Sequence, residues 1–258
     1  MSFKTLVKRV VPRKTWDSWR QRRSDLEDWV EDLPRLLSRR PPIGWVRFGH
    51  LRRLTPISAD FGWDRGRPVD RFYIDEFIAR HAADVRGRVL EVGTAMYTKR
   101  LGAGRVTRSD VLHILEGNPE ATIVADLTRA DQIPSNAFDC VILTQTLQCI
   151  YDMRAALRHL HRILKPGGAL LATTNGINKI SMQDMAQWGE YWRLTSRSAR
   201  MLFEEFFPPE RVTVDAAGNL VSAVAMLHGI AAEELTAHEL AHRDPAFEVL
   251  IAIRAVKP

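Results

Sequence analysis

The chain has 258 residues, 45% hydrophobic, 26% charged and 8% aromatic, with 15 Gly and 13 Pro, a globular composition that excludes disordered, collagenous and coiled-coil chains. Its formal net charge of +6 at pH 7 is concentrated at the front, where residues 1–60 hold 14 basic and 7 acidic side chains. No apolar run reaches the ~18–20 residues of a spanning helix and the start, Met1-Ser2-Phe3-Lys4, lacks the apolar core of a secretory signal, so the expectation is a cytoplasmic protein with a basic N-terminal patch.

Residues 16–33 read as a helix, with Trp16, Trp19, Leu26, Trp29, Val30 and Leu33 recurring at threes, fours and sevens, though Arg22 and Arg23 interrupt the stripe. Pro34 and then Pro41-Pro42 end it. The division expected is a basic helical extension over residues 1–42 and one domain over residues 43–258. Three tryptophans exceed what a solubilising tail carries. The extension is therefore read as a docking element, for the body, for a second copy in a homo-oligomer, or for a membrane surface.

From Asp70 the pattern is regular. Asp70 is expected to cap a helix carrying Phe72, Ile74, Phe77 and Ile78, with Gly87 beyond its end. Strands follow at 88–92, 105–111, 121–125 and 138–143. A helix over 153–164 stops at Lys165-Pro166-Gly167-Gly168, and a fifth strand runs over 169–174. Strands four and five are short continuous apolar runs separated by a helix, which a parallel sheet buried on both faces requires. A helix over 196–206 capped by Thr195 or Ser196, a strand over 211–216, an apolar helix over 221–232, a segment over 234–241 and a strand over 247–256 complete the chain.

In an open α/β sheet the ligand site lies beyond the carboxyl ends of the strands. Glu91-Val92-Gly93 ends the first strand: the glycine lets backbone approach a ligand, and the carboxylate can accept from an ammonium or from loop amides. Asp110, towards the end of the second strand, can accept the hydroxyls of a ribose, and Asp126, closing the third, can meet an adenine amino group. Such an acidic rim suits a nucleoside with a cationic tail and repels a pyrophosphate. The two cysteines, Cys140 and Cys149, have no Cys/His spacing that suits zinc. Reduced thiols and no metal site are expected.

With Val89-Leu90-Glu91-Val92-Gly93, Asp110, Asp126-Leu127, Phe138-Asp139-Cys140-Val141-Ile142-Leu143 and Leu164-Lys165-Pro166-Gly167-Gly168, the chain resembles the class I S-adenosylmethionine-dependent methyltransferases from about Asp70 to Pro258. Asp64-Arg65-Gly66, Asp70-Arg71-Phe72-Tyr73-Ile74, Trp192-Arg193-Leu194-Thr195 and Leu227-His228-Gly229 look like a bacterial subgroup associated with surface-glycan or natural-product biosynthesis. The resemblance implies an α/β, Rossmann-like, seven-stranded and mostly parallel sheet with helices on both faces and a C-terminal antiparallel hairpin. It also implies S-adenosylmethionine as cofactor, held by Glu91, Gly93, Thr94, Asp110, Asp126, Leu127, Gln145 and Tyr73. Two positions depart from the family: the glycine loop reads Glu91-Val92-Gly93-Thr94-Ala95-Met96-Tyr97, keeping only its first glycine, and Cys149 stands where relatives often have histidine.

The reaction expected is O-methylation of a sugar, polysaccharide or small natural-product hydroxyl. Tyr191, Trp192 and Tyr151 are taken to wall the acceptor, and His228 to take its proton. The competing readings are a catalytically silent cofactor-binding scaffold, favoured by the eroded glycine loop, and an RNA methyltransferase clamped by the basic extension. The segment Thr144-Gln145-Thr146-Leu147 lacks the Asn/Asp-Pro-Pro-Tyr motif of base-modifying relatives, so nucleic acid is not the expected partner.

Overall fold

A computed structural model describes residue 41 and residues 43–258, so the helix expected over residues 16–33 lies outside the described residues. Ahead of Leu54 the described chain contains one 3-10 turn, Gly49–Leu51. Leu54–Pro258 forms a compact unit of its own.

Seven strands make one sheet: β1 Gly87–Val92, β2 Val106–His113, β3 Ile123–Val124, β4 Phe138–Thr144, β5 Leu164–Asn175, β6 Val212–Ala217 and β7 Leu250–Val256. Their order is β3-β2-β1-β4-β5-β7-β6. β7 runs antiparallel between β5 and β6, and the other pairs are parallel. The helices are α1 Val69–Arg80, α2 Met96–Leu101, α3 Met153–Ile163, α4 Met182–Gln187, α5 Ser196–Glu204, α6 Leu220–His228 and α7 Ala237–Ala241. Among the described residues no helix is long and apolar enough to cross a membrane.

Strand side chains alternate in direction, so a continuous apolar run supplies two cores at once. Leu90, Val141, Leu143 and Leu170 pack with Leu157 and Leu160 of α3 and Phe203 of α5. Val89, Cys140, Ile142 and Leu171 pack on the other face with Ile74 and Ile78 of α1 and Met226 of α6. α3 and α5 begin on side-chain caps: Asp152 accepts from Ala155 N, and Thr195 and Ser198 form a reciprocal capping box. α1 differs from expectation, because Pro68 occupies its N-cap and Asp70 lies inside its first turn.

Boundaries move where backbone chemistry decides them. The apolar helix expected over 221–232 stops at His228 because Gly229, at φ +66°, turns left-handed. A side chain there would meet the Ser58 backbone carbonyl. β5 starts at Leu164, five residues early, and its register shifts between the Phe138–Leu164 and Cys140–Ala169 pairs. β3 shortens to two residues and β7 starts at Leu250.

The shift in β2 corrects a site residue. The strand continues to His113, so Asp110 pairs with Leu90 in mid-sheet and does not stand at the strand end. Its carboxylate is 1% exposed. Arg88 Nε donates to it at 2.7 Å, Arg108 Nη2 at 3.1 Å and Thr122 Oγ1 at 3.2 Å. Burial pushes the carboxyl up, but the two guanidiniums prevail and hold it below the ordinary carboxylate range. Asp110 thus ties β1 to β2 through its two arginines. Asp110→Asn is expected to destabilise the protein by about 3 kcal/mol at pH 7, because it strands a paired cation. A carboxylate whose folded pKa is depressed stabilises above its unfolded pKa and loses that contribution as pH falls through the folded value. Urea unfolding at several pH values should therefore show the gap between wild type and variant closing below about pH 4.

Candidate functional site

The strand order reverses between β1 and β4, which opens a crevice at the carboxyl edge of the sheet. A cavity of about 500 Å³ lies there. Its lining comes from the strand ends, Glu91–Thr94, Leu112–Leu115, Ala125–Leu127 and Thr144–Thr146, closed by Met96 and Tyr97, Arg71, Cys149 and Ile150, and Asp184, Gln187 and Trp188.

Glu91 organises the first wall. Its carboxylate is 2% exposed and accepts from Tyr97 N at 3.0 Å, Thr98 N at 2.8 Å and Thr98 Oγ1 at 2.8 Å. These are otherwise unpaired donors of the first turn of α2, so the side chain holds loop and helix against the strand. Burial pushes its carboxyl above the ordinary range, against the pull of those three bonds. Gly93 takes φ +88°, a left-handed conformation that lets the loop double back. Asn118 Nδ2 donates to Gly93 O at 2.7 Å, and Glu120 Oε2 accepts from Lys99 Nζ at 3.0 Å. The 118–120 segment thus braces a loop that lacks the later glycines. Tyr97 turns inward, 1% exposed, and its hydroxyl donates to Asp75 Oδ1 at 3.0 Å.

At the end of β3, Asp126 Oδ1 accepts from Thr128 N and Thr128 Oγ1, each at 2.8 Å, while the residue still lines the cavity. At the end of β2 stands His113, with Nδ1 2.7 Å from Leu115 O and the ring edge-on to Trp188 at 5.7 Å. Leu115 N lies 3.2 Å from the same Nδ1, so both backbone polar atoms of Leu115 meet that nitrogen and hold the ring at the cavity wall. The Cys149 thiol is pushed up to about 12 by burial and is neutral at pH 7. It supplies no base where a histidine was looked for.

Glu91, Gly93, Thr94, Asp126, Leu127 and Gln145 are thus gathered on one cavity, and other expected site residues are not. Tyr73 is 1% exposed in the core beneath α6, with Arg243 over its ring and no partner for its hydroxyl among the described residues. His228 closes α6: its carbonyl accepts from Ile57 N and Ser58 N, and its Nδ1 is buried without a partner among the described residues. Neither lines a cavity described for this sheet edge. Tyr151, Tyr191 and Trp192 do cluster, with Tyr151 stacked on Trp192 at 5.8 Å and edge-on to Tyr191 at 5.4 Å. Trp192 Nε1 is anchored on Ile150 O and Tyr151 O, so this cluster backs the 149–151 segment and does not line the cavity.

Sequence reading missed Arg71, His113, Asp184 and Trp188. Arg71 follows Asp70 in a helix read only for its apolar side, and α4 has no apolar period to mark it. His113 was hidden by ending β2 two residues early. Among the described residues no group of three or more His, Cys, Asp and Glu is arranged to hold a metal ion.

Residues 87–172 match the family described as a methyltransferase domain. Among curated proteins, the chain is 33% identical over 89 residues to the ubiquinone/menaquinone biosynthesis C-methyltransferase UbiE of Hahella chejuensis, covering 34% of this chain and 30% of that protein. It is 53% identical over 38 residues to UbiE of Pasteurella multocida, covering 15% and 14%. The matched stretch is under a third of either relative's length. Among solved structures, the [4+2]-cyclase SpnF superposes with a TM-score of 0.48 at 17% identity, over 72% of this chain and 81% of that one. The N-methyltransferase NodS of Bradyrhizobium japonicum gives 0.47 at 15% identity, over 79% and 95%. Residues 87–172 match a methyltransferase domain, and the sheet they belong to has the Rossmann-like, mostly parallel, seven-stranded order of the methyltransferase fold.

Proposed function

We propose that the protein transfers a methyl group from S-adenosylmethionine to a hydroxyl of a sugar, polysaccharide or small natural product. The observation that supports this most is the chemistry of the 500 Å³ cavity, which combines acidic, basic and apolar walls at the switch point of the sheet. Asp126 and Asp184 favour a ligand carrying positive charge, and Arg71 offers a fork for a carboxylate. Leu112, Ala125, Leu127 and Ile150 provide slots for a flat heterocycle.

In this reading Asp126, whose Oδ1 is engaged by Thr128, keeps Oδ2 for an adenine amino group. The His113 ring meets a ribose hydroxyl through Nε2 in the place first assigned to Asp110. Gly93 and Thr94 border the methionine portion, with Arg71 at its carboxylate. When bound, the cofactor supplies an activated methyl, so the protein's work is to align the acceptor and exclude water. Residues 1–42 are proposed as an extension that docks on a partner, a surface or a second copy, outside the cofactor site.

Calorimetric titration with S-adenosylhomocysteine tests the reading. Wild type is expected to bind one equivalent, and Asp126→Ala to bind more weakly by about 1–3 kcal/mol. Absence of binding to the folded wild type contradicts the proposal. Glu91→Gln replaces one acceptor oxygen by a donor facing the α2 amides. It is expected to lower stability by about 1–3 kcal/mol in urea unfolding and to weaken the same titration, whereas unchanged values in both would remove Glu91 from the site.

A further inference from the structure

A second, smaller cavity of about 130 Å³ adjoins the first, and Arg71, Gln145 and Asp184 line both. Its own walls include Phe61, Trp63, Asp70, Gln148, Asn175 and Glu190. Three of these are polar side chains left inside the protein: Gln148, Asn175 and Glu190 are 3%, 5% and 8% exposed. Buried polar groups at such density are costly unless partnered. Gln148 is partnered, donating to Gln145 Oε1 at 3.0 Å and accepting from Thr174 Oγ1 at 3.1 Å. Glu190 accepts from Ser181 N at 2.7 Å and pairs with Arg193 at 3.0 Å. Asn175 accepts from Asn178 through its oxygen, while its amide nitrogen has no hydrogen bond among the described residues.

The backbone is strained at the same place. Four non-glycine residues among those described have positive φ, and two of them, Phe61 at +54° and Gln145 at +49°, line this cavity. The conformation at the end of β4 turns the Gln145 side chain onto Asp70: its Nε2 lies 3.4 Å from Asp70 Oδ2. A chain of bonds therefore runs from Thr174 through Gln148 and Gln145 to that carboxylate. Asp70 Oδ1 accepts from Arg71 N at 2.7 Å, which fixes the other oxygen.

We propose that this second cavity is the acceptor subsite for a polyhydroxylated ring, and that Asp70, bonded there to the Gln145 shared with the larger cavity, is the general base. This rests on the methyltransferase reading above. Amide and carboxylate walls suit several hydroxyls at once, and Trp63, 54% exposed at the rim, offers an aromatic face to the C–H face of a sugar. Asp70 takes the hydroxyl proton on Oδ2 as the hydroxyl oxygen bonds to the donor's methyl carbon. The carbon–sulfur electron pair remains on sulfur, so the products are the methyl ether, the neutral thioether and protonated Asp70. Burial pushes this carboxyl above the ordinary range, which makes it a stronger base than a solvated aspartate.

The test uses the full chain saturated with S-adenosylhomocysteine and saturation-transfer NMR with methyl α-D-mannopyranoside, methyl α-D-glucopyranoside and methyl α-L-rhamnopyranoside, with ethanolamine as the amine probe. At least one glycoside is expected to bind, and Trp63→Ala and Asn175→Ala to weaken it at least tenfold while S-adenosylhomocysteine affinity stays within twofold. In turnover with labelled S-adenosylmethionine, wild-type kcat/KM for that glycoside rises with pH through the Asp70 titration. Asp70→Asn loses about 100-fold or more and the pH limb with it, and Asp70→Glu restores part of both. If S-adenosylhomocysteine binds but no glycoside does, or only ethanolamine does, the subsite is overturned. If Asp70→Asn keeps turnover and the pH limb, the base is overturned. Failure of S-adenosylhomocysteine itself to bind wild type strikes the methyltransferase reading instead.

Discussion

One buried carboxylate sets the geometry of the sheet edge. Glu91 sits at the end of β1, almost without solvent, and its oxygens accept two backbone amides and a hydroxyl from the first turn of α2. A charge so placed is tolerated only because those donors are themselves unpaired by the helix. The exchange fixes the direction in which the chain leaves β1, and with it the position of Gly93 and the mouth of the large cavity. The three-residue brace from Asn118 to Glu120 secures the same loop from the β2 side. A glycine-poor loop is thus held by side-chain bonds instead of by backbone freedom.

Around that point the molecule keeps two kinds of polar group apart. Charged residues within the sheet, Asp110 with Arg88 and Arg108, or Asp139 with Lys165, are paired and join strands. Those beyond the strand ends face cavities: Asp126 the larger one, Asp70 and Glu190 the smaller, with Arg71, Gln145 and Asp184 between. Gln145 couples the two, because its left-handed backbone carries its amide to Asp70 on one side and Gln148 on the other. Strain held at that junction is consistent with a position specified by function rather than by packing.

Much of the fold was legible because buried parallel strands have a strong signature. The runs at β4 and β5 and the Thr195 cap of α5 emerged from apolar runs and capping residues, while the antiparallel direction of the C-terminal pair came from the family resemblance. Strand ends were less legible, since the period of two says which face a residue takes but not where pairing stops. Two residues at the end of β2 therefore exchanged Asp110 for His113 at the cavity. Glu91, Gly93 and Asp126 were found because each lies at a strand end followed by a turn. Asp70 was read from its spacing as a helix cap, since its contact with Gln145 spans 75 residues of sequence. His228 drew attention as a histidine in an apolar helix, but the left-handed Gly229 after it and the 57–58 segment bonded to its carbonyl give it a structural position.

The central claim, that the Glu91-anchored cavity holds the adenosyl cofactor, is tested most directly by a crystal structure of the protein grown with S-adenosylhomocysteine. The account predicts adenine beside Asp126, ribose hydroxyls at His113 and the amino-acid carboxylate at Arg71, with the Asp110 cluster unchanged. Density for the ligand away from these residues, or a ribose bound by Asp110 released from Arg88 and Arg108, would contradict it.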